Sequence, residues 1–358
     1  MSGGMSPEVP TYDSQPLFIG LGIHRWKRST MREHRVIKAI SVVIGAAFLS
    51  GAALPSAIAA EEDPASITAI ESVTPEVLYG LASSADLRSV TQSATQLDNG
   101  ASVQLPAGPT EPLVLEDDLH PDLSLVLPIT TGVVDTAARS GLPVYEVGSS
   151  VDLVPAVKDD GSVQIITVLK EASAPSRYDY GFSAGLKLQL AEDGFVLITD
   201  EADQYVGAVT PPWAVDATGA VVPTRFEVSG STLTQIVEHA GFIYPVVADP
   251  YAGKALISSV GVGSEKGQPR YSVTKTTFGH SVSLGYGLGG GDDPLLGAQI
   301  MRDQGWSEAV SKGLGTATTI RQQYDCHTVY AAGKNPWNLE RWRGTNDWWG
   351  INPQLCNW

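Results

Sequence analysis

Between residues 112 and 250 apolar and polar positions alternate in short runs. Leu186-Lys187-Leu188-Gln189-Leu190 is the clearest case, and FVLITD (195–200), YVGAV (205–209), RFEV (225–228) and TLTQIV (232–237) continue it. A period of two places alternate side chains on opposite faces of a strand. Turn-forming residues separate the runs: DDG (159–161), EDG (192–194), DATG (216–219) and SG (229–230). Strands at this spacing predict a sandwich or barrel, with no helix of any length in the region.

The pattern changes after YPVVADP (244–250), where Asp249-Pro250 ends an apolar strand, and a domain boundary is placed there. ALISSVGV (255–262) and RYSVTKTTFGHSVSL (270–284) predict a pair of strands, and GYGLGGGDDP (285–294) a loop. Trp306, Ala309, Val310 and Leu314 share one face of a predicted helix with Asp303 as its cap. Ile320, Tyr324, His327 and Ala331 share a face of a second, which Gly333 can end. Residues 60–111 show little periodicity. They read as a mostly disordered linker, with one short helix within 74–87 capped by Thr74. The fold class expected is α+β: an acidic, β-rich, sandwich-like domain (112–250) and then a small disulfide-stapled α+β domain (251–358).

The start of the chain reads as an address. From Met31 the positive residues Arg32, Arg35 and Lys38 precede an uncharged run, Ala39 to Ala60, that ends in Ala57-Ile58-Ala59 before acidic residues. That order is a signal peptide cut after Ala59. Residues 1–30 lack this logic and read as an upstream mis-start. The expectation is a secreted protein with no stable membrane insertion after cleavage. The alternative leaves 39–60 uncleaved as an anchor in the plasma membrane, since 22 uncharged residues can span a bilayer.

Charge then narrows the partners. The net charge is −16, and residues 61–250 hold 28 acidic against 7 basic residues. Such a surface repels phosphate backbones, so nucleic acid is not expected to bind through it. Cys326 and Cys356 are the only cysteines. Behind an export signal an even pair reads as a disulfide. With no matching Cys or His partners it does not read as a zinc site. Asp292 and Asp293 are too few ligands for calcium, and the Gly-rich loop lacks the strand-loop-helix setting of a phosphate cradle. No metal and no cofactor is therefore expected.

The densest chemistry lies in RQQYDCHTVYAAGKNPWNLERWR (321–343). Gln323, Tyr324, Cys326 and His327, then Trp337, Asn338, Leu339, Glu340 and Arg343, then Cys356 and Asn357, resemble in order the motifs of domain-of-unknown-function family 2599. That family is an uncharacterised domain of secreted actinobacterial proteins. Trp358 stands where the family usually has Pro. The resemblance covers roughly 251–358 and implies no established activity.

His327, Glu340 and Arg343 together would serve a metal-free hydrolase or nuclease as acid, base and oxyanion binder. The plainer reading pairs Glu340 with Arg343 and buries His327 in the core. Cys326 as a nucleophile fits worse, because it is adjacent to His327 on a helix and spent if oxidised. Six of the eight Trp lie between Trp306 and Trp358. They fill a small core or stack on sugars, and of Trp348 and Trp349 one must face outward on an extended strand. The function expected first is non-enzymatic: an envelope module binding cell-wall glycan or another envelope protein. The alternative is a secreted effector or toxin with a small hydrolytic or nuclease-like C-terminal domain. N-terminal sequencing of protein from the medium should begin at Ala60. Recovery of an intact 39–60 segment in membranes would instead establish the anchor.

Overall fold

The alternating runs form strands at Lys187–Leu190, Val196–Thr199, Tyr205–Val209, Thr224–Ser229 and Thr232–Val237. The computed structural model describes residues 63–137, 139–285, 295–346, 356 and 358. The segment 39–60, Ala59, Asp292, Asp293, Trp348 and Trp349 lie outside the described residues.

Two antiparallel sheets carry most of the chain. The first has seven strands in the order Thr95–Gln96, Ser102–Gln104, Pro112–Glu116, Leu123–Val126, Arg177–Phe182, Thr232–Val237, Thr224–Ser229. The second has ten, and its main path runs Lys187–Leu190, Val196–Thr199, Tyr205–Val209, Tyr251–Gly253, Val163–Leu169, Val151–Val157, Pro143–Glu146, Val133–Thr136. Leu113, Leu125, Tyr180 and Leu233 of the first share a core with Leu153, Ile165, Ile198 and Val246 of the second. This is the expected sandwich, and the fold as a whole is α+β.

Two expectations are corrected. Residues 60–111 are not simply a linker: Ala65–Val73 and Ser84–Ser89 are helices, Pro75–Leu78 is a 3-10 turn, and Thr95–Gln96 and Ser102–Gln104 join the first sheet. Most of their few apolar residues go into the common core, with Ile70, Leu87 and Val90 fully buried, while Tyr79 stays exposed. They come in short pairs, Ile67 with Ile70, Leu87 with Val90 and Val103 with Leu105, too brief to set up a sustained period. Ser83, not Thr74, supplies the side-chain cap, accepting from the Asp86 N–H. Nor does packing break at 250. Tyr251–Gly253 pairs with both Tyr205–Val209 and Val163–Leu169 inside the second sheet. A second core joins Phe195, Tyr205 and Tyr251 to Leu256, Phe278, Tyr324 and Trp337. Ala59–Trp358 is one compact unit.

Beyond it, Ile257–Glu265 and Gln268–Lys275 form the expected hairpin, and Trp337–Glu340 adds a third strand beside the latter. The two-residue turn places Lys266 and Gly267 at φ 50° and 75°, as a tight hairpin turn requires. The second predicted strand stops at Lys275. Thr277–Leu284 is a helix, because Thr276 Oγ1 accepts from the Gly279 N–H and distant Asp160 accepts from the Phe278 N–H at 2.7 Å. Asp303 is no cap: it lies in a π-helical turn, Met301–Gly305, between Leu295–Ile300 and Trp306–Ser311.

A buried charge cluster holds this helical segment to the sandwich. Glu308, 3% exposed, accepts the N–H groups of Leu256 and Ile257 and lies 3.3 Å from His120 Nε2. His120 Nδ1 is 3.0 Å from Asp117, and Lys254 Nζ is 3.7 Å from the same carboxylate. Burial opposes charge on His120, but the hydrogen bonds and charges of Asp117 and Glu308 outweigh it and raise its pKa to about 9. Burial likewise opposes charge on Asp117, yet His120 and Lys254 hold it down at about 2.

A histidine with a raised folded pKa gives stability that is complete below its unfolded pKa and is lost as pH rises through the folded one. Here that window runs from 6.5 to about 9. The shift corresponds to about 3 kcal/mol. Urea melts across the window should show the loss. His120→Gln should be less stable by about 2–3 kcal/mol at its acidic end and nearly flat across it.

Candidate functional site

The residues singled out in 321–343 are spent on structure. Helix Thr318–Tyr330 carries Gln323, Tyr324, Cys326 and His327. Gln323 is fully buried, and its side-chain amide donates to the Glu340 carbonyl at 3.0 Å while accepting the Glu340 N–H at 2.9 Å. It thus completes the free edge of Trp337–Glu340 as a further strand would. Tyr324 Oη donates to the Met301 carbonyl, relieving the π turn, and its ring meets Trp306 and Trp337 edge-on. Cys326 is bonded to Cys356, with Cα atoms 5.4 Å apart.

His327 is 3% exposed, and its Nδ1 lies 2.7 Å from the Gln323 carbonyl one turn back. Burial pushes its pKa down to about 4, with the charges of Lys334 and Lys275 acting in the same direction. Near neutral pH it is an uncharged donor. Glu340 pairs instead with Arg343, whose Nε donates at 2.8 Å. Arg343 Nη1 also donates to the Trp358 carbonyl at 2.6 Å. The structure therefore places Glu340 and Arg343 together and gives His327 a separate, internal bond. Among the described tryptophans, Trp337 is fully buried and donates to the Ala331 carbonyl. Trp306 lies under Arg321, and Trp342 under Lys266 and Arg343.

The histidine of the junction cluster borders a 360 Å³ cavity with Tyr205 and Ser307. Both its ring nitrogens already face carboxylates, so it has no free nitrogen to act as a base. A 790 Å³ groove follows Pro211-Pro212-Trp213. Its aromatic residues Trp213 and Phe226 are each only 5% exposed and present no ring face.

A third cavity, 420 Å³, opens between the segment Glu76–Tyr79 and the start of helix Thr277–Leu284. Its wall includes Glu76, Lys158, Thr277, His280 and Ser281. Tyr79 stands at its rim with 70% of its surface exposed, the most of any large hydrophobic residue among those described. Lys158 Nζ donates to the Val77 and Tyr79 carbonyls, fixing that segment. Burial lowers the Lys158 pKa to about 8 against the pull of Asp160 and Asp159. Lys275 Nζ donates to Ser283 Oγ and the Ala332 carbonyl beside the Trp337 ring, and burial lowers it to about 7. Burial and then the charge of Lys275 lower the His280 pKa, and its buried Nδ1 has no hydrogen-bond partner among the described residues. Sequence reading passed over all of these. The one signal for Tyr79 was an aromatic followed by Gly80 in a segment poor in apolar residues.

Residues 258–358 match the model of a family described as a protein of unknown function, DUF2599. No curated protein and no solved structure matches the chain. The matched region holds the hairpin, the helices and the disulfide, and its motif residues Gln323, Tyr324, Cys326, His327 and Trp337 are packing residues. None of the described helices is long and apolar enough to cross a membrane.

His327 has a depressed pKa, so its contribution is complete above 6.5 and is lost as pH falls through about 4. His327→Ala should cost about 2–3 kcal/mol at neutral pH and remove that acid-side slope in denaturant melts. Replacing Cys326 and Cys356 together by Ala should cost about 3.5–4 kcal/mol by the chain-entropy argument, measured the same way.

Proposed function

We infer that the protein is an extracellular binding module that takes a sugar unit of a cell-wall glycan in the cleft beside Tyr79. The observation that carries this reading is the exposed Tyr79 ring at the mouth of a cavity whose mixed wall includes Glu76, Thr277, His280 and Ser281. A large aromatic left in water is informative, because burying it would be favourable. One flat apolar face beside a few fixed polar groups is what a sugar ring needs: its C–H face stacks while its hydroxyls bond to the wall. Glu76, Thr277 and Ser281 supply polar atoms to that wall, and His280 stands beside them with its Nδ1 buried and unpartnered among the described residues.

The cavity is sized for one or two rings, as small-ligand sites are. The acidic charge of residues 61–250 argues for a neutral ligand over a polyphosphate. The hydrolytic or nuclease-like alternative asks His327, Glu340 and Arg343 to meet one substrate. The internal bonds of His327 and the Glu340–Arg343 pair count against that set. A protein partner in the envelope is the other occupant to distinguish, and wall material stripped of protein makes the distinction.

Sedimentation of the purified protein with protein-free wall should show binding. Tyr79→Ala and His280→Ala should each weaken it about tenfold or more, and Tyr79→Ala should leave the thermal midpoint within about 1–2 °C, since its side chain is exposed. Wall binding that neither substitution changes would sink the cleft as the site. No binding at all would sink the glycan reading.

A further inference from the structure

We propose that the protein pairs with a second copy of itself along the free edge of strand Ile257–Glu265, forming an antiparallel two-fold contact centred on Gly261.

An edge strand presents unpaired N–H and C=O groups, and proteins blunt such edges with charges, prolines, short length or a cover. Every other sheet edge among the described residues is blunted in this way. Lys187–Leu190 carries Lys187, Val133–Thr136 carries Asp135, and Thr224–Ser229 carries Arg225 and Glu227. Thr95–Gln96 and Ala214–Val215 are two residues long, and Glu340 of Trp337–Glu340 has both backbone groups taken by Gln323. Ile257–Glu265 differs from them all. It is nine residues long, pairs among the described residues only with Gln268–Lys275, and carries no charge or proline before Glu265. Glu308 covers its base through the Leu256 and Ile257 N–H groups. From Ser258 to Ser264 every residue but Val260 is exposed. A side chain added at Gly261 or Gly263 would meet nothing nearer than 3.7 Å, and only atoms of the neighbouring strand.

The order of side chains points to a second copy as the occupant. A two-fold contact must be self-complementary. Reversed about Gly261, the sequence Ser258-Ser259-Val260-Gly261-Val262-Gly263-Ser264 sets Val260 against Val262, Ser259 against Gly263 and Ser258 against Ser264. Glu265 falls opposite Ile257, so no like charges meet. Val260 and Val262 lie on the face of Val273 and Tyr271, their cross-strand partners. Four valines, two from each copy, would therefore extend the apolar face above Trp337. Val262, now 64% exposed, would be covered. Cross-strand β-branched pairs of this kind stabilise sheets. A six-stranded sheet would replace two of three. On the glycan reading, the pair would also offer two clefts to a repeating polymer, which raises avidity without new contacts.

Sedimentation velocity tests the proposal on the protein as its host processes it, over about a hundredfold range of concentration. The wild type should shift from monomer to dimer. Val262→Lys, a change at an exposed position, should weaken the dimer about tenfold or more, as edge lysines do. On the two-fold axis the two Gly261 Cα atoms would lie about 4.5–5.5 Å apart, within disulfide reach. The two Gly263 Cα atoms would lie about 13 Å apart. Gly261→Cys should therefore form a covalent dimer on mild oxidation, and Gly263→Cys should not. A wild type that stays monomeric throughout overturns the proposal. So does a dimer untouched by Val262→Lys, or equal crosslinking by the two cysteine variants.

Discussion

A carboxylate cannot be taken out of water without partners, and Glu308 is almost wholly out of water. Its partners come from two distant stretches of chain. Leu256 and Ile257 give it their N–H groups where the chain leaves the sandwich, and His120 faces it from a loop between two sandwich strands. His120 in turn needs Asp117, and Asp117 needs Lys254. Lys254 Nζ also donates to the Leu115 and His120 carbonyls. Two anions and two cations thus balance inside one protein interior. Removing any one leaves the others uncompensated, and this is where breaking a buried pair costs most. The cluster ties the C-terminal region to the sandwich through buried, charge-bearing bonds.

The family's own motif residues work on a smaller scale with the same logic. A short strand, Trp337–Glu340, has helix Thr318–Tyr330 at its edge. Without Gln323 the Glu340 N–H and C=O would be buried and unpaired. Tyr324, His327 and Cys326 then tie the helix to the π turn, to itself and to the chain end. The run Gln323-Tyr324-Asp325-Cys326-His327 is, in space, a set of satisfied bonds. The matched region is small, with few apolar residues to spare, so polar side chains take over work that a larger core would do by volume.

What was legible in the sequence divides by the range of the interactions involved. Alternation marks strands because both faces of a strand are written locally, and the runs from 186 to 237 fall where the structure has them. The Cys326–Cys356 pair and the Glu340–Arg343 pair were likewise readable from residue type. Helix Thr277–Leu284 was not, since its start depends on Asp160, more than a hundred residues away. The segment at 65–104 was misread because its buried apolar residues come only in short pairs, such as Ile67 with Ile70 and Leu87 with Val90, too few to give a sustained period. The charge cluster was invisible for the same reason: Asp117, His120, Lys254 and Glu308 share no motif and meet only through the fold. The cleft beside Tyr79 belongs to this class too.

That cleft rests on the turn after strand Val151–Val157, which sequence reading treated only as a corner. The Asp159 N–H donates to the Gly80 carbonyl, and Lys158 Nζ holds the carbonyls of Val77 and Tyr79. Asp160 holds Ser162 and the Phe278 N–H. One wall of the cleft, Glu76–Tyr79, and the other, the start of helix Thr277–Leu284, therefore hang from three successive residues. Lys158 and Asp160 are each nearly buried, and each compensates the other's charge while bonding outward to a different wall. The spacing between Tyr79 and His280 is thus set by a hairpin turn of the sandwich and not by the loop that carries Tyr79. An exposed aromatic on a free loop would lose entropy on meeting a ligand; one whose backbone is already fixed by a buried lysine has lost it on folding.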